Sequence, residues 1–504
     1  MTRRSQFVRF APHVRINVQY VDRSKFGGPV SERLQENMKT LCSPIYRALD
    51  RHGPAYVVYE GERLLNQCFS SRRFNQICDE YPEISEDVLF PKSSSIVPDA
   101  LVLTSANSRK AVQVDISPEH WSAAADWVGE MSSPPLNGKS HRSRRFESLT
   151  DKLKSQGFLV NAVTQSASTS RASDVTYVGH NTVVVRSKRA SVIVDPWFFP
   201  HAQRFLPGHQ PLRPSELGLI NAALVTHSHP DHFDPGSLLM LGRNTRIIVP
   251  VVPRESILSV DIKGRLRELG FTSVTALPWW KNVMIRDICV TALPFYGEQP
   301  TSGKRLYPEV RNWGNCYLVR TPHAAFAFIG DSGSDLDGRA GNVAAEAFDR
   351  YGPIDVLFSG YRGWSLYPIQ YFESSVRQYL LFVPPAQYAV RQTIMNSADE
   401  AVNTAEAWHA AYLAPYANGG AVWYSEIGLG PTEESPQSND DKGWVYFDPP
   451  PEICLKAMSA RSQPLPHITV GSPVKPLLLQ SGQSFNLRHR RARLITRALG
   501  TPLK

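Results

Sequence analysis

Short β-branched runs recur from residue 175 onward. Val175–Val178 and Thr182–Arg186 are split by Gly179-His180-Asn181, and Ser191–Val194 ends in Asp195-Pro196. Leu224–Thr226, Arg246–Val249, Val290–Leu293, Cys316–Arg320, Ala325–Ile329 and Asp355–Phe358 continue the series. Such runs, bounded by Gly, Pro, Asn and Asp, predict strands. Helical patterns intervene, the short Ser237–Leu241 and the longer Ser256–Leu269. Strands alternating with helices predict a layered α/β unit over residues 174–435.

The pattern before it is different. Residues 1–164 read as a mixed α+β domain: VRINVQYV (14–21) alternates like a first strand, and Ala55–Tyr59, Ala100–Thr104 and Ala111–Ile116 are strand-like. Pro118–Met131 reads as a helix. A further helix has Ser148 as N-cap with Asp151 three residues on, Leu149 and Leu153 on one face, and Gly157 as its stop. No metal-ligand or nucleophile spacing occurs here, so this domain is expected to serve dimerisation or partner docking, making the protein a homodimer. The small polar stretch 165–173 reads as a linker, and 436–504 as an extension with a basic tail.

Composition narrows the function classes. With 504 residues, 42% hydrophobic and 20% charged, the chain can bury ordinary cores. No apolar run reaches a membrane span, and the Arg-rich N-terminus has no apolar signal core, so a cytoplasmic protein is expected. Six cysteines form no CxxC pair, which argues against a disulfide framework. The net charge of +9 is concentrated locally, in Lys139–Arg145 and in Arg488-His-Arg490-Arg491-Ala-Arg493 with Arg497 and Lys504. Basic surface suits an acidic partner. No aromatic-interleaved signature favours nucleic acid.

The chemistry concentrates in one stretch. Leu224-Val-Thr runs into His227-Ser-His229-Pro-Asp231-His232-Phe-Asp234, placing three of the chain's 14 histidines within six positions. Pro230 prevents a regular helix, so irregular backbone presents the side chains. His227 and His229 can converge on one metal, and Asp231 with His232 on a second.

This motif resembles the His-x-His-x-Asp-His signature of the metallo-β-lactamase fold. Gly179-His180-Asn and Val194-Asp195-Pro196 resemble that family's early strands, and Gly330-Asp331-Ser-Gly its later metal-bridging aspartate. The resemblance implies an αββα sandwich with two metals at one edge. Zinc hydrolases of the fold add a histidine between motif and bridging aspartate, and another after it. Here only His323 intervenes, in a turn, and Ala292-Leu-Pro-Phe-Tyr-Gly-Glu298-Gln299 stands where the first would come. Ile394-Met-Asn stands in the place of His-Met-Asn, before a capping box of Ser397 and Glu400. His409, His467 and His489 lie in helical or basic contexts that read as surface.

The implied ligand set is His227, His229, Asp231, His232, Glu298 and Asp331. A hard glutamate in place of imidazole suits iron or manganese better than zinc. Two divalent metals with three carboxylates leave one net positive charge, less suited to making hydroxide than a two-aspartate zinc site. The pattern resembles the di-iron oxygenase subgroup of the fold, which includes the β-hydroxylase of chloramphenicol biosynthesis. That resemblance places His227, His229 and Glu298 on one iron and Asp231 and His232 on the other. Asp331 bridges, and Glu298 and Asp331 set the catalysis. It implies a monooxygenase that takes dioxygen and electrons from an external donor protein. Its substrate would be an amino acid tethered to an acidic peptidyl-carrier domain. Rival readings are a binuclear metallohydrolase acting on a phosphodiester, lactone or thioester, and a metal-bearing scaffold.

Other residues carry two readings each. Asp195 is either a second-sphere anchor for a histidine ligand or a turn cap. His180 reads as a hydrogen-bonding residue at a strand turn, and Asp234 as a helix cap. Trp279-Trp280 and Tyr361-Arg362-Gly-Trp364 are buried aromatics or a pocket wall. Arg311-Asn-Trp313-Gly-Asn315 is a turn or a substrate-placing group.

Overall fold

The computed structural model describes residues 6–22, 27–91, 96–132, 146–163, 174–201, 211–299, 309–361, 368, 377–390, 392, 394–417, 474–479, 481–488 and 491–495. The linker 165–173, the basic run 139–145, Arg362, Trp364, His467, His489, Arg497 and Lys504 lie outside the described residues.

Two sheets stack face to face. The first has the spatial order Val274–Leu277, Arg246–Pro250, Ala222–Leu224, Ser191–Val194, Thr182–Arg186, Val175–Gly179, Ser484–Arg488, Arg491–Ile495. The second runs Asn282–Ile285, Ile288–Pro294, Asn315–Arg320, Ala325–Phe328, Val356–Ser359, Tyr412–Pro415, Lys475–Pro476. Because side chains alternate across a strand, each sheet can feed two cores. Val183, Val192 and Ile248 meet Val290, Tyr317, Phe326 and Val356 between the sheets. Leu293, Leu318, Ala327 and Leu357 face outward beneath the helices Ala340–Tyr351 and Ala398–Ala407. The described strands beyond residue 435 pair into both sheets, so that part of the chain completes the sandwich.

The outer face of the first sheet is covered jointly. Val184, Ile193 and Ile247 share one apolar cluster with Leu238 and Leu266, from the helices Pro235–Met240 and Ile262–Glu268. The same cluster takes in Phe10, Val14, Trp121 and Val128 from the N-terminal region. That region contributes the pair Gln6–Phe10 with Leu159–Val163 and the sheet Val14–Asp22, Ile96–Ser105, Ala111–Asp115. Its helices between 27 and 89 form a second cluster with Tyr379–Val383, Ile394 and Met395.

Several local expectations shift. Ala55–Tyr59 is helical, the end of Ser43–Tyr59. The β-branched Val57-Val58 pair is a weak preference that a helix already running overrides. The helix expected from Ser148 spans Glu147–Ser155, so Ser148 sits in its first turn rather than capping it; Gly157, at φ +83°, ends it as expected. The helix expected over 256–269 is shorter, because Ser256 and Ser259 close a turn on each other. Asp261 then caps afresh by accepting from Gly264 N at 3.1 Å. The run Leu224–Thr226 leaves the sheet after Leu224, and its last residues begin the metal-motif loop.

One contact makes the N-terminal strand part of the site's support. Gly236, two residues past the motif, lies so close to strand Val14–Asp22 that a Cβ there would sit 1.9 Å from the Ile16 carbonyl oxygen. Arg15 Nη2 reaches Asp234 Oδ2 at 3.4 Å, and Arg213 Nη2 donates to the Val14 carbonyl at 2.9 Å. Gly236→Ala must push these backbones apart, at a cost of roughly 1–3 kcal/mol by analogy with overpacked cores. The expected result is a lower thermal unfolding midpoint with weakened metal uptake, read by calorimetry and metal analysis. A wild-type midpoint would show that the contact is not tight in solution.

Candidate metal centre

The motif loop leaves the middle of the first sheet at its edge. Val225 N donates to Ile248 O at 2.9 Å, and Asn315 N to Thr226 O at 2.7 Å, so the two sheets hold the two residues before His227. His232 N and Phe233 N both donate to His229 O, at 3.0 and 2.7 Å, which curls the loop and turns its side chains to one side. His227, His229 and His232 are all buried.

Asp195 organises this loop from below. It ends strand Ser191–Val194 at φ +42°, a conformation rare for a non-glycine residue and common where function over-determines the backbone. Its Oδ1 accepts from Thr226 N and its Oδ2 from Thr226 Oγ1, both at 2.7 Å, while Oδ2 also lies 2.8 Å from His232 Nδ1. A carboxylate on Nδ1 turns the other ring nitrogen toward the metal side, the arrangement of a second-sphere anchor. Of its two readings, the anchor is the one observed. His180, at φ +53°, places Nε2 2.8 Å from Asp231 Oδ2, agreeing with the hydrogen-bonding role expected of it. Asp234 stands at the N-cap position, but its Oδ2 accepts from Ser237 Oγ at 2.6 Å and meets Arg15.

Two loops of the second sheet complete the site. Asp331 follows Ala325–Phe328 through Gly330, whose φ is +56° and whose N–H donates to Tyr416 Oη at 2.9 Å. Glu298, at φ +51°, is held by its own N–H on the Ile394 carbonyl at 2.7 Å. The residue standing where hydrolases carry a histidine thus serves through its backbone to fix Glu298. Gly297 permits this approach, since a Cβ there would lie 2.2 Å from the same carbonyl oxygen. Asn312 Nδ2 donates to Glu298 O at 3.3 Å, and Asn312 N to Gln299 Oε1 at 2.5 Å.

Five of the six expected residues gather into two donor groups that share Asp331. One is His227, His229 and Asp331; the other is Asp231, His232 and Asp331, with donor atoms in each group within 4.8 Å of one another. Glu298 falls in neither group and stands beside the first, its Oε1 3.6 Å from His229 Nδ1. His232 Nε2 is buried without a hydrogen bond, 3.3 Å from Asp331 Oδ2 and 3.6 Å from Asp231 Oδ2. Ligands about 2 Å from one ion lie roughly 3–4 Å apart, so these spacings fit a cation between the donors.

The electrostatics agree. Burial alone would lower the pKa of His232, but Asp331, Asp231 and Asp195 raise it well above the usual histidine value. Burial likewise opposes ionisation of Asp231, yet His232, His180 and His229 hold its carboxyl well below the usual range. Asp195 is pushed up by burial against the pull of His232 and Thr226. A buried cluster of carboxylates facing imidazoles favours positive charge among them. Burial, with Glu298 nearby, keeps the Tyr379 phenol protonated.

The aromatic and Arg311 candidates resolve as bracing. Trp279, Tyr296 and Trp313 surround the Arg311 guanidinium, and Trp279 Nε1 donates to Gly314 O at 2.8 Å. Arg311 is engaged by Asp337 at 2.7 Å, Asp335 at 3.2 Å and the Phe295 carbonyl at 3.1 Å. It ties the Glu298 loop to the segment after Asp331. Trp280 stacks under Arg350, and Tyr361 is buried beneath the outer helices. His323 is exposed in its turn, and His409 stacks on Phe348. Sequence reasoning missed Thr226 and Tyr379. Thr226 was signalled only by its place before the motif, and Tyr379, 2.5 Å from His229 Nε2, had no signal at all.

A family model of the β-lactamase superfamily domain matches residues 190–413. That match covers a little under half of the chain. Over 201 residues the chain is 29% identical to the 4-amino-L-phenylalanyl-[CmlP-peptidyl-carrier-protein] 3-hydroxylase of Streptomyces venezuelae. The match covers 38% of this chain and spans about a third, 35%, of that relative. Over 101 residues the chain is 33% identical to a putative Rieske 2Fe-2S iron-sulfur protein of Mycolicibacterium smegmatis, covering 19% of this chain and 18% of that one. The crystal structure of CmlA, a diiron β-hydroxylase from Streptomyces venezuelae, superposes with a TM-score of 0.55 at 14% identity. That superposition covers 97% of this chain and 99% of the other, so the likeness of fold reaches the N-terminal region as well. Among the described residues no helix is long and apolar enough to cross a membrane.

Because, among the described residues, Asp331 alone belongs to both donor groups, Asp331→Ala should lose much of both metals. Atomic absorption on the purified variant checks this. Full metal content would mean that Asp331 does not span the pair.

Proposed function

We propose that this protein is a non-haem di-iron monooxygenase. Its substrate is an amino acid carried on a peptidyl-carrier domain, hydroxylated at the β-carbon. The observation that carries the reading is the donor set: two groups sharing Asp331, with Glu298 rather than an imidazole beside His229. Carboxylate-rich nitrogen–oxygen sites suit iron. The named activity of the Streptomyces relative and the whole-chain likeness to a diiron β-hydroxylase support the same choice.

His227, His229 and Glu298 would hold one iron, Asp231 and His232 the other, and Asp331 both. When bound, the irons supply dioxygen activation: one oxygen atom enters a C–H bond and the other leaves as water, consuming two electrons and two protons. The electrons come from an external donor protein. The chain's own residues set the site for this. Asp195 holds His232 through Nδ1, leaving Nε2 for metal. His180 orients Asp231, and the Ile394 carbonyl fixes the backbone of Glu298. Burial of the histidines keeps bulk water from their rings. Residues 1–164 we assign to carrier docking or homodimerisation, with the basic surface favouring an acidic carrier.

Iron analysis should find about two irons per chain, the number these donors can hold. Oxygen-dependent addition of one oxygen atom to an aminoacyl-loaded carrier domain, read by mass spectrometry, completes the test. Zinc-dependent ester or phosphodiester hydrolysis with no oxygen consumption would reverse the reading in favour of a binuclear hydrolase.

The chemistry is also tested at Glu298 itself. Glu298→His exchanges an anionic donor for imidazole and raises the charge of the metal core by one. Metal preference should shift toward zinc, and oxygen-dependent turnover should be lost, with little effect on the unfolding midpoint. Competitive metal uptake and oxygen consumption check both. Unchanged turnover would remove Glu298 from the oxygen chemistry.

A further inference from the structure

The second ring nitrogen of His229 has a partner of its own. His229 Nδ1 faces Glu298 Oε1 at 3.6 Å, while Nε2 lies 2.5 Å from the hydroxyl of Tyr379. A neutral imidazole that ligates through one nitrogen carries its proton on the other, and the partner of that proton fixes the ring. With Nε2–H donating to the Tyr379 oxygen, the lone pair of Nδ1 is left facing Glu298 and the metal side. His232 is held in the opposite sense, with Asp195 on Nδ1 and Nε2 directed to the carboxylates. The two histidines are thus fixed through different nitrogens by partners from different parts of the chain.

Tyr379 lies outside the strands of the two sheets. It lies in the short turn Arg377–Leu381, packed in an apolar cluster with Leu34, Met38, Leu41 and Leu65 of the N-terminal helices. From the same region, Tyr81 Oη lies 3.2, 3.1 and 3.4 Å from the carbonyl oxygens of Leu380, Leu381 and Val383. One N-terminal hydroxyl, with a single proton to donate, therefore sits among three carbonyls in and just after the turn that carries Tyr379.

We propose that Tyr379, held by Tyr81 of the N-terminal region, is a positioning residue that sets His229 for ligation through Nδ1. The proposal rests on the assignment of His229 as a metal ligand and not on which reaction follows. It gives the N-terminal helices a direct structural tie to the metal site.

The test is a cobalt(II) titration of the full-length apoprotein, read by visible absorption, because cobalt bands report ligand geometry without turnover. Tyr379→Phe removes one oxygen and keeps the ring. It should weaken cobalt binding by about 10–100-fold, as loss of outer-sphere partners does elsewhere. It should also change the visible bands, while circular dichroism and the unfolding midpoint stay near wild type. Wild-type affinity and bands in that variant overturn the proposal. Tyr81→Phe, remote from the donors, should weaken cobalt binding in the same direction by less. Wild-type cobalt binding in Tyr81→Phe overturns the tie to the N-terminal helices. A wild-type chain that takes up no cobalt overturns the proposal together with the metal assignment. A chain that binds cobalt as described but makes no hydroxylated product refutes the oxygenase reading alone.

Discussion

The buried carboxylate of Asp195 is the contact on which the site's geometry turns. It receives the backbone N–H and the hydroxyl of Thr226 and lies against the Nδ1 of His232. One side chain thereby links the end of one strand, the start of the motif loop and the last histidine of the motif. Its own backbone is held in the left-handed region. A fully buried carboxylate is costly unless every lone pair is used. Here both oxygens are engaged, Oδ1 by Thr226 N and Oδ2 by Thr226 Oγ1 and His232 Nδ1, which offsets that cost.

Around that anchor the structure balances charge rather than apolar area. Carboxylates of Asp231, Asp331 and Glu298 converge on the three motif histidines from separate loops. Each loop is fixed by a hydrogen bond to a different part of the chain: Glu298 N to the Ile394 carbonyl, Gly330 N beside Asp331 to the Tyr416 hydroxyl, and the Thr226 carbonyl of the motif to Asn315 N. Left-handed backbone at His180, Asp195 and Glu298 marks three corners of the same site. Backbone held in this sparsely populated region persists only where the surroundings over-determine it.

The N-terminal region takes part in this support on two fronts. Its strand Val14–Asp22 presses on the helix that follows the motif, and its helices enclose the turn that carries Tyr379. The region read from the sequence as a separate domain for dimerisation or partner docking thus touches the helix after the motif and the turn that carries Tyr379.

By itself the sequence determined the motif, the alternation of strands with helices, and the resemblance that groups them. His227, His229, Asp231 and His232 lie within six positions, so local spacing was enough to mark them. The capping box at Ser397 and Glu400 was equally local and is observed. Asp195 was visible as a candidate but undecided, since a turn cap and an anchor leave the same signature before a proline. Tertiary structure alone decided that it bonds Thr226 and His232, and that Arg311 joins the Glu298 loop to the segment after Asp331. It alone brought Tyr379 to His229 across 150 positions. Spacing along a chain encodes contacts one or two turns apart. Contacts between distant loops are set by how the sheets stack, and no period in the sequence records them.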